Sequence, residues 1–262
     1  MIENWVGVPI ILKFKATGKL CTLYFFTINS IMLIARLQTN TPLDKLLNGG
    51  IEIGAVTNIY GPAGTGKTNI ALAAAINCKR KIIYIDTEGS FSSERFSQLG
   101  GTKEQLKNMI FFEPHSWEEQ HEAVKKLEDI VKKGDIDLIV IDSMVTLYRL
   151  ELDQQNFSLI NKQLATQYSI LSKIGRKYKI AVLVTNQVYG LLNKEGKGEI
   201  ELTSRAIAKY WAKALIELKK TGKDNQRLAV IRKHRSLPEG QKIEFEITQD
   251  KIKPTGKFGI FK

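Results

Sequence analysis

With 262 residues, 43% of them hydrophobic and 25% charged, the chain has the length and composition of one large α/β domain, or of one domain with a small appendage. That balance excludes a disordered or low-complexity protein, and two cysteines, Cys21 and Cys78, exclude a disulfide framework. Lysine and arginine total 39 against 27 acids, a formal charge of +12, which favours a polyanionic partner and above all nucleic acid.

Lys13, Lys15 and Lys19 precede an apolar stretch, Leu20 to Ala35, with the outline of a signal peptide or membrane anchor. Thr22, Thr27, Asn29 and Ser30 dilute it, and it falls short of a spanning length. Met32 stands just before the globular pattern begins, so residues 1–31 read as an N-terminal extension and 32–262 as the domain. Three readings of the extension stay open: an upstream stretch not made in the cell, a packed extra strand or helix, and an anchor.

Ala55 to Tyr60 is β-branched and apolar, which predicts a buried strand. Gly61-Pro62-Ala63-Gly64-Thr65-Gly66-Lys67-Thr68 follows, a complete P-loop pattern, and Asn69 to Cys78 is rich in helix formers. Strand, glycine loop and helix is the context this motif needs. The glycines let backbone N–H groups turn toward a phosphate, and the helix N-terminus adds its partial positive charge. The pattern predicts a nucleoside triphosphate site with Lys67 on the β- and γ-phosphates and the Thr68 hydroxyl on Mg²⁺. Cys78, on the same helix, reads as a small core residue of a reducing, cytoplasmic compartment.

Lys81 to Asp86 and Met109 to Phe112 predict two short strands. Ser116-Trp117-Glu118-Glu119 has the capping-box pattern, opening a charged amphipathic helix that runs to about Lys133, where Gly134-Asp135 breaks it. Ile136 to Asp142 is the strongest strand signal in the chain. Phe157 to Tyr178 predicts a long helix and Ile180 to Asn186 another buried strand. This alternation implies an α/β fold, a mostly parallel sheet with helices on both faces. Ala212–Lys219, Arg227–Lys233 and Lys242–Ile247 alternate more and are joined by turn residues, which predicts a C-terminal antiparallel meander.

Asp142 ends its strand where a P-loop ATPase keeps a second acid beside Mg²⁺. Glu88, in Asp86-Thr87-Glu88-Gly89, is a candidate to orient and deprotonate a water, and Gln187 is a candidate to sense the γ-phosphate. Arg232-Lys233-His234-Arg235 is the densest basic cluster. The three histidines, without a cysteine cluster, offer no metal site.

Ile85 to Arg95, Leu138 to Ser143 with Leu147-Tyr148-Arg149, Val184 to Val188, and Thr41 to Ile51 together resemble the RecA-like recombinases of archaea and eukaryotes. The likeness runs from about residue 39 to the C-terminus and is greatest to the short archaeal paralogues of the RadA-type recombinase. It implies a RecA-type P-loop ATPase core using ATP and Mg²⁺, with Lys67 and Thr68 on phosphate and metal, Glu88 as general base and Asp142 as second acid. It further implies that Arg95 stacks on adenine and that Gln187 couples nucleotide state to a DNA-binding loop.

Full recombinases also carry an N-terminal helical DNA-binding domain and a subunit-docking linker, and neither is seen before Thr39. The loop Val188 to Ile200 is short for strand exchange, although Lys194 and Lys197 among glycines suit phosphate contact. The expectation is a weak ATPase that binds single-stranded, double-stranded or branched DNA through Lys194, Lys197, Lys233 and Arg235. It assists a RadA-type recombinase, with a Holliday-junction resolvase and DNA polymerase D as further partners implied by the resemblance. A membrane is not expected as a partner, and a homo-oligomer stays open. Two rivals also stay open: an active DNA-stimulated strand-exchange ATPase, and a RecA-like signalling ATPase or P-loop kinase that does not use DNA.

Overall fold

The run from Ile136 to Asp142 dictates the layering of this protein. A strand turns its side chains alternately to two faces, so an unbroken apolar run has no face to offer water. The computed structural model describes residues 10–16, 19–25, 35–153, 155–188 and 197–255, with residues 10–16, 19–25 and 197–203 as backbone alone. In it Leu138 and Val140 enter one core while Ile139 and Ile141 enter another, all four fully buried.

The chain divides into two units, residues 1–35 and 36–262. In the first, β1 (Ile10–Ala16) and β2 (Lys19–Phe25) pair antiparallel, from Ile10 opposite Phe25 to Ala16 opposite Lys19. Its described backbone is thus extended, and no helix among the described residues is long and apolar enough to cross a membrane.

The second unit opens with β3 (Arg36–Leu37), α1 (Leu43–Leu46) and β4 (Ile51–Glu52), the two strands pairing antiparallel. Next come β5 (Val56–Gly61), α2 (Lys67–Ile76), β6 (Lys81–Asp86), α3 (Ser93–Gln98), α4 (Lys103–Lys107) and β7 (Met109–Phe112). They are followed by α5 (Trp117–Lys133), β8 (Ile136–Asp142), α6 (Thr146–Glu151), α7 (Phe157–Tyr178), β9 (Ala181–Gln187) and α8 (Lys197–Trp211). The chain closes with β10 (Ala214–Lys220), β11 (Gln226–His234), β12 (Lys242–Ile247) and β13 (Ile252–Pro254).

One nine-stranded sheet runs β13-β12-β11-β10-β5-β9-β8-β6-β7. Neighbours from β10 across to β7 are parallel, and those from β10 out to β13 are antiparallel. This is the RecA-type architecture the sequence predicts, meander included. Ile70 and Leu72 of α2 and Phe96 of α3 pack on one face, with Leu138, Val140 and Leu183. Leu127 of α5, Leu164 and Leu171 of α7 and Ala208 of α8 pack on the other, with Ile139, Ile141 and Val182.

Local signals hold with two amendments. Ser116 caps α5, its Oγ accepting from the Glu119 N–H at 3.1 Å, but the Glu119 carboxylate accepts from the His115 N–H at 2.8 Å in place of Ser116's. The stretch expected to be loop as far as Ile200 is helical from Lys197. The parallel order brings the carboxyl ends of β5, β6, β8 and β9 to one edge, where open α/β sheets bind their ligands.

Candidate nucleotide-binding site

Each part of the P-loop departs from ordinary backbone for a visible reason. Gly64 and Gly66 have φ of 72° and 95°, left-handed values that disfavour a side chain, and a Cβ on Gly66 would lie 2.4 Å from Ile247 Cδ1. Gly61 ends β5 so close to β10 that a Cβ would lie 2.3 Å from the Leu218 carbonyl oxygen. Because backbone cannot swing aside as a side chain can, Gly61→Ala is expected to cost about 1–3 kcal/mol of stability through overpacking. A urea melt checks this, and an unchanged midpoint refutes the close approach.

The helix after the loop is left open to an anion. Ser92, Thr102 and Ser116 cap α3, α4 and α5 by accepting a backbone N–H, whereas Gly66, at the N-cap of α2, offers no side chain, and α2, like α6 and α7, has no side-chain cap and no acid in its first turn. Its first N–H groups and dipole therefore remain available to phosphate oxygens. Lys67 folds back over the loop, its Nζ donating to the carbonyls of Gly61 and Pro62, both at 3.0 Å. Burial draws its ammonium below the ordinary lysine pKa, against the opposing pull of Glu88 and Asp142. A phosphate would give that buried cation a close counter-charge.

Asp142 is buried at the end of β8 among hydroxyls. Tyr84 donates to its Oδ2 at 3.0 Å and Ser90 at 3.3 Å, and Thr185 donates to its Oδ1. Burial raises its pKa, against the lowering influence of the hydroxyls of Thr185, Thr68 and Tyr84 around it. Thr68 and Asp142 thus stand near one another at the carboxyl end of the sheet, the two residues expected at Mg²⁺. The pair fits that ion, which takes hard oxygens and is usually held by one or two carboxylates plus substrate phosphates. Among the described residues no cluster of three or more His, Cys, Asp or Glu side chains forms an all-protein cage for a metal.

Glu88 lies exposed on the loop after β6. Its Oε1 accepts from Thr146 Oγ1 at 2.6 Å, and Thr146 in turn shares a 2.6 Å hydrogen bond with Ser143 Oγ. Asp86, by contrast, is a loop anchor. Its carboxylate accepts the backbone N–H groups of Glu88, Ser90 and Phe91 and so sets the loop that carries Glu88.

Arg95 bridges α2 and the β12–β13 turn, its Nε donating to Asn69 Oδ1 at 2.6 Å and Nη2 to the Thr248 carbonyl at 2.9 Å. Gln187 ends β9 opposite Gly61. The next N–H, of Val188, donates at 3.2 Å to the Gly61 carbonyl that Lys67 also reaches. The loop lysine and the exit of β9 therefore share one acceptor.

Of the basic residues expected at DNA, Lys233 and Arg235 have described side chains. Lys194 lies outside the described residues, and Lys197 starts α8 as described backbone alone. Lys233 Nζ donates to the carbonyls of Lys209 and Ala212, the latter at 2.8 Å, fixing the end of α8. Arg235 Nε lies 2.7 Å from the carboxylate of buried Glu52, with His234 also facing it. Both side chains thus have a structural task that a run of basic letters does not reveal.

Two cations missed in the sequence stand at the loop. Arg227 Nε donates to the Gly64 carbonyl at 3.1 Å, and Lys220 Nζ lies 3.5 Å from where a Gly64 Cβ would sit. The strand alternation around them places them on the meander, but only the sheet order shows that β10 and β11 border the P-loop. Thr146 and Ser143 were missed similarly, since nothing in their spacing ties them to Glu88.

A family model described as Rad51 matches residues 30–255. The DNA repair and recombination protein RadB of Methanobrevibacter smithii is 40% identical over 221 residues, covering 82% of this chain and 94% of that protein. RadB of Methanococcoides burtonii is 42% identical over 223 residues, covering 83% and 96%. The crystal structure of the RadB recombinase is similar at a TM-score of 0.68 and 34% identity, covering 84% of this chain and 99% of that one. With the P-loop, the second acid and the sheet order all in agreement, the chain belongs to the Rad51 family of RecA-like proteins, in its RadB group.

Proposed function

We propose that this protein is an ATP- and DNA-binding accessory factor of homologous recombination and DNA repair, with slow ATP turnover and little strand exchange of its own. The observation that carries the reading is the convergence of Lys67, the Thr68–Asp142 pair and Glu88 on one P-loop. In this reading the glycine loop, the α2 N-terminus and Lys67 hold the phosphates of ATP, while Thr68 and Asp142 hold Mg²⁺. The metal supplies charge neutralisation at the β- and γ-phosphates. Glu88 Oε accepts a proton from water, with Thr146 fixing the carboxylate. Arg95 packs at the adenine side, and Gln187 relays nucleotide state from beside Gly61 to the following loop. RadB relatives are named as DNA repair and recombination proteins, and the +12 charge supports a nucleic-acid partner. The partner recombinase is of RadA type, with a Holliday-junction resolvase and DNA polymerase D as further partners and the cytoplasm as the compartment. ATP turnover with and without single-stranded DNA tests the reading, since turnover absent under both conditions, with no Mg-ATP bound, refutes it.

The proposed DNA surface comprises Lys194, Lys197, Lys233 and Arg235. Phosphate contact releases counterions, so each true contact removed is expected to lower the log–log salt slope by about one. For Lys233→Ala with Arg235→Ala we expect weaker single-strand binding regardless of sequence. We also expect a lower melting temperature, because α8 and Glu52 lose their ties. A variant that melts lower yet keeps its DNA affinity and salt slope assigns the pair to the fold alone.

A further inference from the structure

Two glutamines meet in the core between α5 and α7. Gln120 and Gln167 are both fully buried, with Val124 one turn on from the first and Leu164 and Leu171 one turn to either side of the second. Gln120 Nε2 donates to Gln167 Oε1 at 3.0 Å and to the Met144 carbonyl at 3.1 Å, so both of its hydrogens are used. That carbonyl dictates the arrangement. Turning the Gln120 amide over would set its oxygen against the Met144 oxygen, and turning Gln167 over would set nitrogen against nitrogen. Gln120 Oε1 and Gln167 Nε2 find no partner among the described residues. Unpaired buried amide atoms cost free energy. The pair therefore costs the core stability, and what it delivers outside itself is one bond to the backbone of Met144.

Met144 lies in the turn between β8 and α6 that carries the hydroxyls facing Glu88. Thr146 Oγ1 donates to Glu88 Oε1 and shares a hydrogen bond with Ser143 Oγ, both at 2.6 Å. Strand ends tie the first part of this turn. Thr87 Oγ1 accepts from the Ser143 N–H at 2.9 Å and donates to the Ser143 carbonyl at 2.7 Å. The Met144 N–H donates to the Thr185 carbonyl at 3.0 Å. The next peptide plane, which leads through Val145 to Thr146, is tied by Gln120 at its carbonyl. Released, that plane could rotate and carry the Thr146 hydroxyl away from the carboxylate. A displacement of about 1 Å in a catalytic arrangement can cost about a hundredfold in rate, even when its cause lies far from the chemistry.

We propose that Gln120 is a positioning residue for ATP hydrolysis. From the helical layer it holds the Met144 carbonyl, and through it the Thr146 hydroxyl, in the place that orients the Glu88 carboxylate. The inference rests on the reading of Glu88 as the base and deepens it, extending the machinery from the edge of the sheet to α5.

Gln120→Met keeps an unbranched side chain of similar length and removes both N–H groups. Its kcat is expected to fall about tenfold, while Mg-ATP affinity measured by calorimetry stays within about twofold of wild type because the P-loop is untouched. The deciding comparison repeats the substitution in Thr146→Val protein. If Gln120 acts through the Thr146 hydroxyl, its loss there lowers kcat by less than about twofold, since residues acting on one path are not additive. A role in packing alone lowers kcat by the same factor in both backgrounds and overturns the proposal, as does an unchanged kcat in Gln120→Met. Melting curves identify folded variants. If Gln120→Met does not fold, Gln167→Met carries the test, because it keeps the donor to Met144 and removes only the acceptor that aims it. A fall in kcat that Thr146→Val masks is again expected, and no fall, or equal falls in both backgrounds, overturns the proposal. Failure of the underlying reading looks different. Wild type without turnover, or a native rate in Glu88→Gln, removes the base itself, and the role of Gln120 falls with it.

Discussion

Lys67→Ala is expected to weaken Mg-ATP binding by about ten- to a hundredfold, the equivalent of ~1.5–3 kcal/mol for hydrogen bonds to a charged partner. The fold should survive the change because each carbonyl that Lys67 caps has a second donor. The Gly61 oxygen keeps the Val188 N–H and the Pro62 oxygen keeps the Thr65 hydroxyl at 2.8 Å. Removing the side chain also relieves the desolvation that holds its ammonium below the ordinary range. Calorimetry with Mg-ATP and a melting curve on the same sample separate the two effects. Full affinity in a folded variant would mean that the loop binds without its lysine and would displace the nucleotide site from this position.

How far the sequence reaches is clearest at β8 and α8. The unbroken apolar letters of β8 demand cover on both faces, and from that demand the parallel sheet and its two helical layers follow directly. The P-loop is as legible, because glycines at φ 72° and 95° and a helix without a cap are written into the letters Gly64, Gly66 and Lys67. Asp142 was readable because a strand end fixes its location. What the letters do not carry is lateral order. Nothing local says that β10 and β11 lie against the P-loop, so Lys220 and Arg227 pass as ordinary alternating strand charges. Nor do the letters show that Lys233 fixes the end of α8 and that Arg235 faces Glu52, far away in sequence. The α8 helix was missed because its start is polar and glycine-flanked, and its apolar residues count only once packed on α7 and the sheet.

For Glu88→Gln the expected result is retained Mg-ATP affinity with turnover lowered by about 10²–10⁴-fold, the usual range for loss of a positioned general base. The amide keeps the length of the side chain and an oxygen for the Thr146 hydroxyl, which donates at 2.6 Å in the native protein. It removes the lone pair that takes a proton from water. A structural role for Glu88 predicts a different pattern, because the glutamine would then restore nearly everything. Thr146→Val sharpens the distinction. It leaves the carboxylate in place and removes only the hydroxyl that orients it, so turnover should fall less than in Glu88→Gln while Mg-ATP affinity again holds. If Glu88→Gln turns over ATP at the native rate, the base is another acid. Asp86 is a poor replacement, since its oxygens accept the N–H groups of the very loop that presents Glu88. Asp142 is no better, enclosed by the hydroxyls of Tyr84, Ser90, Thr68 and Thr185. A native rate in Glu88→Gln would therefore direct attention to a carboxylate supplied by a neighbouring copy of the chain, and mixing Glu88→Gln with Lys67→Ala protein would reveal it as turnover dependent on protein concentration.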